Sequence, residues 1–259
     1  MHQDTRTDYD MNDKVAVVTG GAGGIGSVVC STLAEKGAAV AVVDLDKDRA
    51  LRVANGLPSS GKSALALGVD VTSLKSVKNT VDTIVAKYGR IDVLVHCAGN
   101  NVKAPILEMS LKQWQSSLDT HLTGAFLFCQ AAGKQMVQQG HGGTVVLMSS
   151  VAAMAPVPDR GAYTPAKAGL IGLAKLLSIE WARYNIRVNA VCPGVAMTPM
   201  TEMVYRRDPE LRKQRLKRMP MGREQTPRDI GKAVAFLASD DASEITGQAL
   251  NVNGGAVMN

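Results

Sequence analysis

The chain has 259 residues, 46% hydrophobic and 20% charged, with a formal net charge of +6. That is ample apolar material for one large α/β domain, and no apolar run approaches the roughly 18 residues of a membrane span. The four cysteines, Cys30, Cys97, Cys129 and Cys192, are scattered and form no C-x-x-C pair. They argue for reduced thiols in a cytoplasm rather than a zinc site or a disulfide framework.

The opening "MHQDTRTDYDMND" is polar and lacks an apolar h-region, so residues 1–12 read as a flexible tail and not as a secretory signal. The positive surplus is local. "YRRDPELRKQRLKR", Tyr205 to Arg218, carries seven Lys/Arg against two acids. Without aromatic interleaving or a nucleic-acid module, no DNA or RNA partner is expected.

From residue 13 onward, short β-branched runs alternate with helical periods, as βαβ units do. "KVAVVTG" is a strand entering a glycine loop, followed by the helix "IGSVVCSTLAEKG", which Gly37 closes. "AAVAVVDLD" is the second strand, Asp46 to Leu57 a helix, and "SALALGVDV" the third strand. An amphipathic helix follows, with Val77, Val81, Ile84, Val85 and Tyr88 on one stripe. "IDVLVHCAG" is the fourth strand, Leu111 to Gln139 is helical with room for a break, and "GTVVLMSS" is the fifth strand. A long helix after Tyr163, the strand "IRVNAVCPG", a charged insertion from Met197 to Gln225, a final helix and the strand "ALNVNGG" complete the chain. Continuous apolar strands each followed by a helix predict one doubly wound, Rossmann-like parallel sheet of about seven strands, with helices on both faces. The insertion at 197–225 reads as a substrate lid or a subunit contact.

Two stretches carry chemistry. "VVTGGAGGIG" places Gly20, Gly24 and Gly26 where a strand turns into a helix, so that backbone can approach a pyrophosphate at a helix N-terminus. Asp44 ends the next strand, 24 residues after Gly20. There it can accept hydrogen bonds from adenosine ribose hydroxyls and repel a 2′-phosphate, and neither Gly21 nor Leu45 offers a compensating cation. NAD is expected over NADP. Asp70, at the end of the third strand, is a second candidate, near the adenine edge. The other stretch is "GAYTPAKAG", in which Tyr163 and Lys167 stand four apart and share a helix face.

These motifs, in order with "HCAG", "SSVAA", "CPGVAMT" and "NVNGG", resemble the short-chain dehydrogenases/reductases from about Lys14 to Gly255. The resemblance implies a nicotinamide cofactor, a small-molecule alcohol or ketone substrate and a homotetramer. It implies Tyr163 as general acid/base, with Lys167 favouring the phenolate and holding the nicotinamide ribose. Ser150, 13 residues before Tyr163, hydrogen-bonds the reacting oxygen, with Ser149 the weaker choice. It extends the cofactor set to Ile25, Leu45, Val71, Ala98, Gly99, Pro193, Gly194, Val195 and Thr198. Pro165 is tolerable if it lies in the first helical turn.

Two segments depart from the family pattern. His121, in "THLTG", stands where the family has a fourth catalytic residue, Asn; it can keep a proton relay or titrate near neutrality. His96 and Cys97 replace both asparagines of the usual N-N-A-G. A coupled exchange of the two histidine positions competes with independent drift, and no further ligand completes a metal set around them.

The intact Ser-Tyr-Lys set and the NAD preference imply oxidation of a secondary alcohol. The pocket is expected from Asn100 to Glu108, Val151 to Arg160 and Met200 to Gly222, with Asn100, Ala152 and Arg160 toward substrate. Few aromatics and several polar groups favour a polyol, sugar or small hydroxy acid. Arg160, Arg206 or Arg207 can pair with an anionic group on it. A reductase of 3-oxoacyl or cyclic ketone substrates, a non-catalytic NAD-binding regulator, and an isomerase or dehydratase on the same fold are the alternatives.

Overall fold

The computed structural model describes residues 9–58 and 64–258. Seven strands form one parallel sheet: β1 (Val15–Thr19), β2 (Ala39–Asp44), β3 (Leu65–Gly68), β4 (Val93–His96), β5 (Gly143–Met148), β6 (Ile186–Pro193) and β7 (Ala249–Val252). Their order is β3-β2-β1-β4-β5-β6-β7. The winding reverses between β1 and β4, and their C-terminal ends, Thr19 and His96, lie in register. A crevice opens at such a switch point, just beyond the carboxyl ends of the strands.

Alternation along the strands divides the core into two layers. Val15 and Val17 face α3 (Leu74–Tyr88), α5 (Gly124–Gln139) and α6 (Tyr163–Trp181), packing with Ile84, Phe128, Met136 and Leu170. Ala16 and Val18 face the other layer, where α1 (Gly26–Glu35) and α9 (Pro227–Ala238) contribute Val29, Leu33, Ile230 and Val234. The stripe read on α3 is buried at Val77, Val81 and Ile84 and half-buried at Val85 and Tyr88. Gly89, at φ 79°, ends that helix in the left-handed conformation that glycine adopts without strain.

Three local details differ from the sequence reading. β3 is shorter than expected, because an edge strand with a half-buried face gives up pairing at its ends. The break in the 111–139 helix is a π-helical turn, Asp119–Thr123, joining α4 (Leu111–Leu118) to α5 without loss of direction. The expected tail over 1–12 falls partly outside the described residues, and its end is docked. Met11 is fully buried with its N–H on the Lys36 carbonyl at 2.8 Å, and the Tyr9 ring packs on Phe236. Apolar burial at Met11 and Tyr9 outweighs the polar composition around them.

The charged insertion folds into α7 (Pro199–Arg207) and α8 (Pro209–Lys217), each opening on a proline whose missing N–H costs nothing in a first turn. Its base is pinned by a parallel bridge between Ala196 and Gln225, with the Met197 N–H on the Gln225 carbonyl at 2.7 Å. No helix among the described residues is long and apolar enough to cross a membrane.

Candidate active site

The glycine turn after β1 is packed so closely that side chains cannot enter it. A Cβ on Gly20 would lie 2.7 Å from the Ala98 nitrogen, and one on Gly26 would lie 2.1 Å from the Gly20 carbonyl oxygen. Gly24 is exposed and faces the Thr198 side chain, where a Cβ would meet Cγ2 at 3.0 Å. The turn, the end of β4 and the start of the insertion therefore enclose one narrow cradle. It fits a pyrophosphate lying against backbone N–H groups at the start of α1.

At one end of the cradle the half-buried Asp44 carboxylate accepts the Ala22 N–H at 3.0 Å and the Asp46 N–H at 3.3 Å. Leu45 beside it is exposed. A cation that sequence spacing did not suggest comes from α2 (Lys47–Asn55): Arg49 donates to the Ala22 carbonyl at 2.9 Å. Asp70 is exposed and accepts from the N–H and hydroxyl of Thr72 at 2.9 and 2.7 Å, while Val71 is buried beneath Gly124. At the other end, Pro193 closes β6, and Gly194 is wedged against Asn253 and Gln225. Val195 leads into Thr198, whose hydroxyl caps α7 by accepting from the Thr201 N–H at 3.3 Å.

Tyr163 begins α6 and Pro165 falls in its first turn, so the helix starts as its residues require. Three basic side chains surround the Tyr163 ring. Lys167 Nζ lies 5.5 Å and Arg160 Cζ 5.4 Å from the ring centroid, and the His121 ring stands edge-on at 5.3 Å. Lys167 is buried and donates to the Met148 carbonyl at 2.6 Å. Burial lowers its ammonium to a pKa of about 8, opposed by Cys97 and Cys192 nearby. Ser149 and Ser150 divide the work: the Ser149 hydroxyl donates to the Lys167 carbonyl at 2.8 Å, whereas Ser150 Oγ accepts from the Ala152 N–H at 3.1 Å. Ser150 keeps its hydroxyl proton for another acceptor.

His121 sits in the π-helical turn, where an extra residue re-aims the side chains inward. Its Nε2 meets the Asn100 backbone, 3.0 Å from the carbonyl oxygen and 3.3 Å from the N–H, and its ring lies across Gly99. Nδ1 is buried without a protein partner among the described residues. Burial first, then the Lys167 charge, push this imidazole down to a pKa of about 3. The expectation that His121 titrates near neutrality is thus overturned; the ring is neutral there. His96, at the end of β4, shares the same causes and the same value of about 3, and its Nδ1 pairs with Thr19 Oγ1 at 2.9 Å. The backbone of Thr120 and His121 nearby favours its protonated form, while its Nε2 is buried with no hydrogen-bond partner among the described residues.

The pocket candidates separate. Asn100 spends its amide nitrogen on Ser116 and Thr120, turning its side chain toward the α4 end of the helix. Ala152 is buried in the short helical turn after Ser150. Arg160 reaches the site and donates to Asn101 Oδ1 at 2.8 Å, within the expected 100–108 pocket loop. Arg206 pairs with Glu202 on the exposed face of α7, and Arg207 is exposed beside it.

Known proteins are similar to this chain over nearly its whole length. A family profile described as enoyl-(acyl carrier protein) reductase matches residues 20–257. A D-threitol dehydrogenase of Mycolicibacterium smegmatis is 40% identical over 249 residues, covering 96% of this chain and 94% of its own. The chain belongs to the short-chain dehydrogenase/reductase family. A 3-oxoacyl-[acyl-carrier-protein] reductase of Thermotoga maritima is 37% identical over 251 residues, covering 96% of this chain and 99% of its own. A solved 7α-hydroxysteroid dehydrogenase, in complex with NADH and 7-oxo glycochenodeoxycholic acid, superposes with a TM-score of 0.91 at 30% identity. That match covers 100% of this chain and 99% of the other. As a family member the protein is an oxidoreductase of alcohols or ketones that uses a nicotinamide cofactor.

Proposed function

We propose that the protein is an NAD-dependent dehydrogenase that oxidises a secondary alcohol of a polyol, sugar or small hydroxy acid to the ketone. The observation that supports this reading is the meeting of His121, Arg160 and Lys167 at the Tyr163 ring, with His121 lying across Gly99 at the end of the glycine-lined cradle. When bound, NAD supplies the hydride acceptor. Tyr163 takes the hydroxyl proton, and Lys167, held on the Met148 carbonyl, stands beside its ring with Nζ 5.5 Å from the centroid. Ser150 donates to the substrate oxygen as charge moves through it. His121, neutral and with no protein partner on Nδ1 among the described residues, relays protons by accepting at one ring nitrogen as it releases from the other.

The cradle is assigned to NAD as follows. Gly20, Gly24, Ile25 and Gly26 hold the pyrophosphate, and Asp44 with Leu45 holds the adenosine ribose. Asp70 and Val71 border the adenine, and Ala98 and Gly99 lie along the chain of the cofactor. Pro193, Gly194, Val195 and Thr198 border the nicotinamide. The Asp44 carboxylate supports NAD over NADP by repelling a 2′-phosphate. Residues 197–225 act as the substrate lid, which their pinned base supports. A homotetramer in the cytoplasm completes the reading; the four free cysteines suit a reducing compartment.

Likeness to a D-threitol dehydrogenase favours a polyol. Likeness to a 3-oxoacyl reductase favours the reverse reaction on a ketone as the second reading. The test is NAD reduction at 340 nm with polyols, sugars, hydroxy acids and cyclic alcohols, beside NADP. Turnover of a polyol, sugar or hydroxy acid with NAD supports the reading. NADPH oxidation by 3-oxoacyl substrates with no alcohol turnover would replace it by the second.

A further inference from the structure

Among the described residues, Arg90, Arg206, Arg212, Arg223 and Arg228 meet carboxylates. Arg160 does not. Its one protein acceptor among the described residues is the neutral amide oxygen of Asn101, which leaves most of its five N–H donors free. It is half-buried, so it is not a freely solvated surface cation. Its place is fixed from two sides: its backbone bridges to Ala104, and Asn101 in turn contacts the Met200 sulfur at 3.7 Å. The guanidinium is thereby held between the 100–108 loop, the start of α7 and the face of Tyr163.

Lys167 and Arg160 approach the same ring within 5.5 and 5.4 Å. An anion in the mouth of the pocket would occupy the unused N–H fork with charge-assisted hydrogen bonds.

We propose that Arg160 recognises an anionic substituent, a carboxylate or a phosphate ester, borne by the alcohol whose proton Tyr163 takes. This rests on the reading of Tyr163 given above and narrows it to polyhydroxylated acids or polyol phosphates. The anion lies close to the reacting carbon, because Arg160 and the ring border the same space. Asn101 is a positioning residue that holds the guanidinium fork toward that space.

The test compares a neutral alditol, the aldonate of the same length and the alditol phosphate, with wild type, Arg160→Gln and Arg160→Lys. Wild type should favour one anionic member in kcat/KM. Arg160→Gln should lower the anionic-to-neutral ratio about 10- to 100-fold, through KM, with Arg160→Lys between. Which anion gains decides between carboxylate and phosphate. Equal losses on neutral and anionic substrates would mean that Arg160 only orders the loops, and the proposal would fall. Binding of malonate or inorganic phosphate to the NADH complex gives a reading independent of turnover, with NADH affinity as the control for folding. At least tenfold weaker anion binding in Arg160→Gln supports the site, and unchanged binding overturns it. If wild type oxidises no alcohol yet binds malonate through Arg160, the dehydrogenase reading fails and the anion site stands.

Discussion

The His121 imidazole stands edge-on to the Tyr163 ring, with centroids 5.3 Å apart and planes at 86°. The space for this ring comes from Gly99. A Cβ on Gly99 would lie 2.2 Å from His121 Cε1. Gly99→Ala should therefore displace the ring, destabilise the protein by about 1–3 kcal/mol and lower kcat more than it raises KM. Urea unfolding and steady-state kinetics check this. In His121→Asn, which frees the space, the same Gly99→Ala change should cost much less.

Acid should unfold this protein through its two buried histidines. Both folded rings titrate at about 3, whereas unfolded histidine titrates near 6.5. Between those values the unfolded chain binds more protons, so stability falls as pH drops from 6.5 toward 3. The loss is about 1.4 kcal/mol per pH unit for each ring. Urea unfolding at pH 7 and pH 5 should show a smaller drop in the His96→Asn, His121→Asn double variant than in wild type. Because His96 and His121 influence each other's charge, the two single losses of activity should not add.

Lys167 reverses the usual relation between activity and stability. Its folded pKa of about 8 lies below the unfolded 10.5. The unfolded chain holds the proton more tightly, so the burial penalty is in full force below pH 8 and disappears as pH rises to 10.5. Lys167→Met should stabilise the cofactor-free protein by about 1–3 kcal/mol at pH 7, with a smaller gain at pH 10, while activity falls at least 100-fold. A destabilised Lys167→Met at pH 7 would show that the Met148 hydrogen bond outweighs the buried charge.

Cofactor choice should turn on one carboxylate. Asp44→Ser removes the charge that opposes a 2′-phosphate and leaves Arg49 beside the Ala22 carbonyl to meet it. The ratio of kcat/KM for NADP to that for NAD should rise about tenfold or more, and Arg49→Gln added to it should reverse most of the gain.

Much of this was legible in the sequence because its signals were local. Val15–Thr19 and Ala39–Asp44 are apolar runs that only a doubly covered parallel strand accommodates, and Tyr163 and Lys167 meet because a helix brings residues four apart together. What escaped depended on distant packing. Nothing near Met11 announces a pocket beside Lys36, and Asn101 acquires its role only through Arg160, 59 residues away. The depressed His121 pKa likewise follows from burial and from Lys167, neither of which its neighbours in sequence reveal.

The most direct measurement of the central claim is NAD reduction at 340 nm by wild type and Tyr163→Phe on the same alcohol, with NADH affinity measured for both. Tyr163→Phe keeps the ring that His121, Arg160 and Lys167 surround and removes only the hydroxyl. NADH binding should stay within a few-fold of wild type while turnover falls about 100- to 10,000-fold. Turnover retained within tenfold in Tyr163→Phe would rule out Tyr163 as the group that takes the hydroxyl proton.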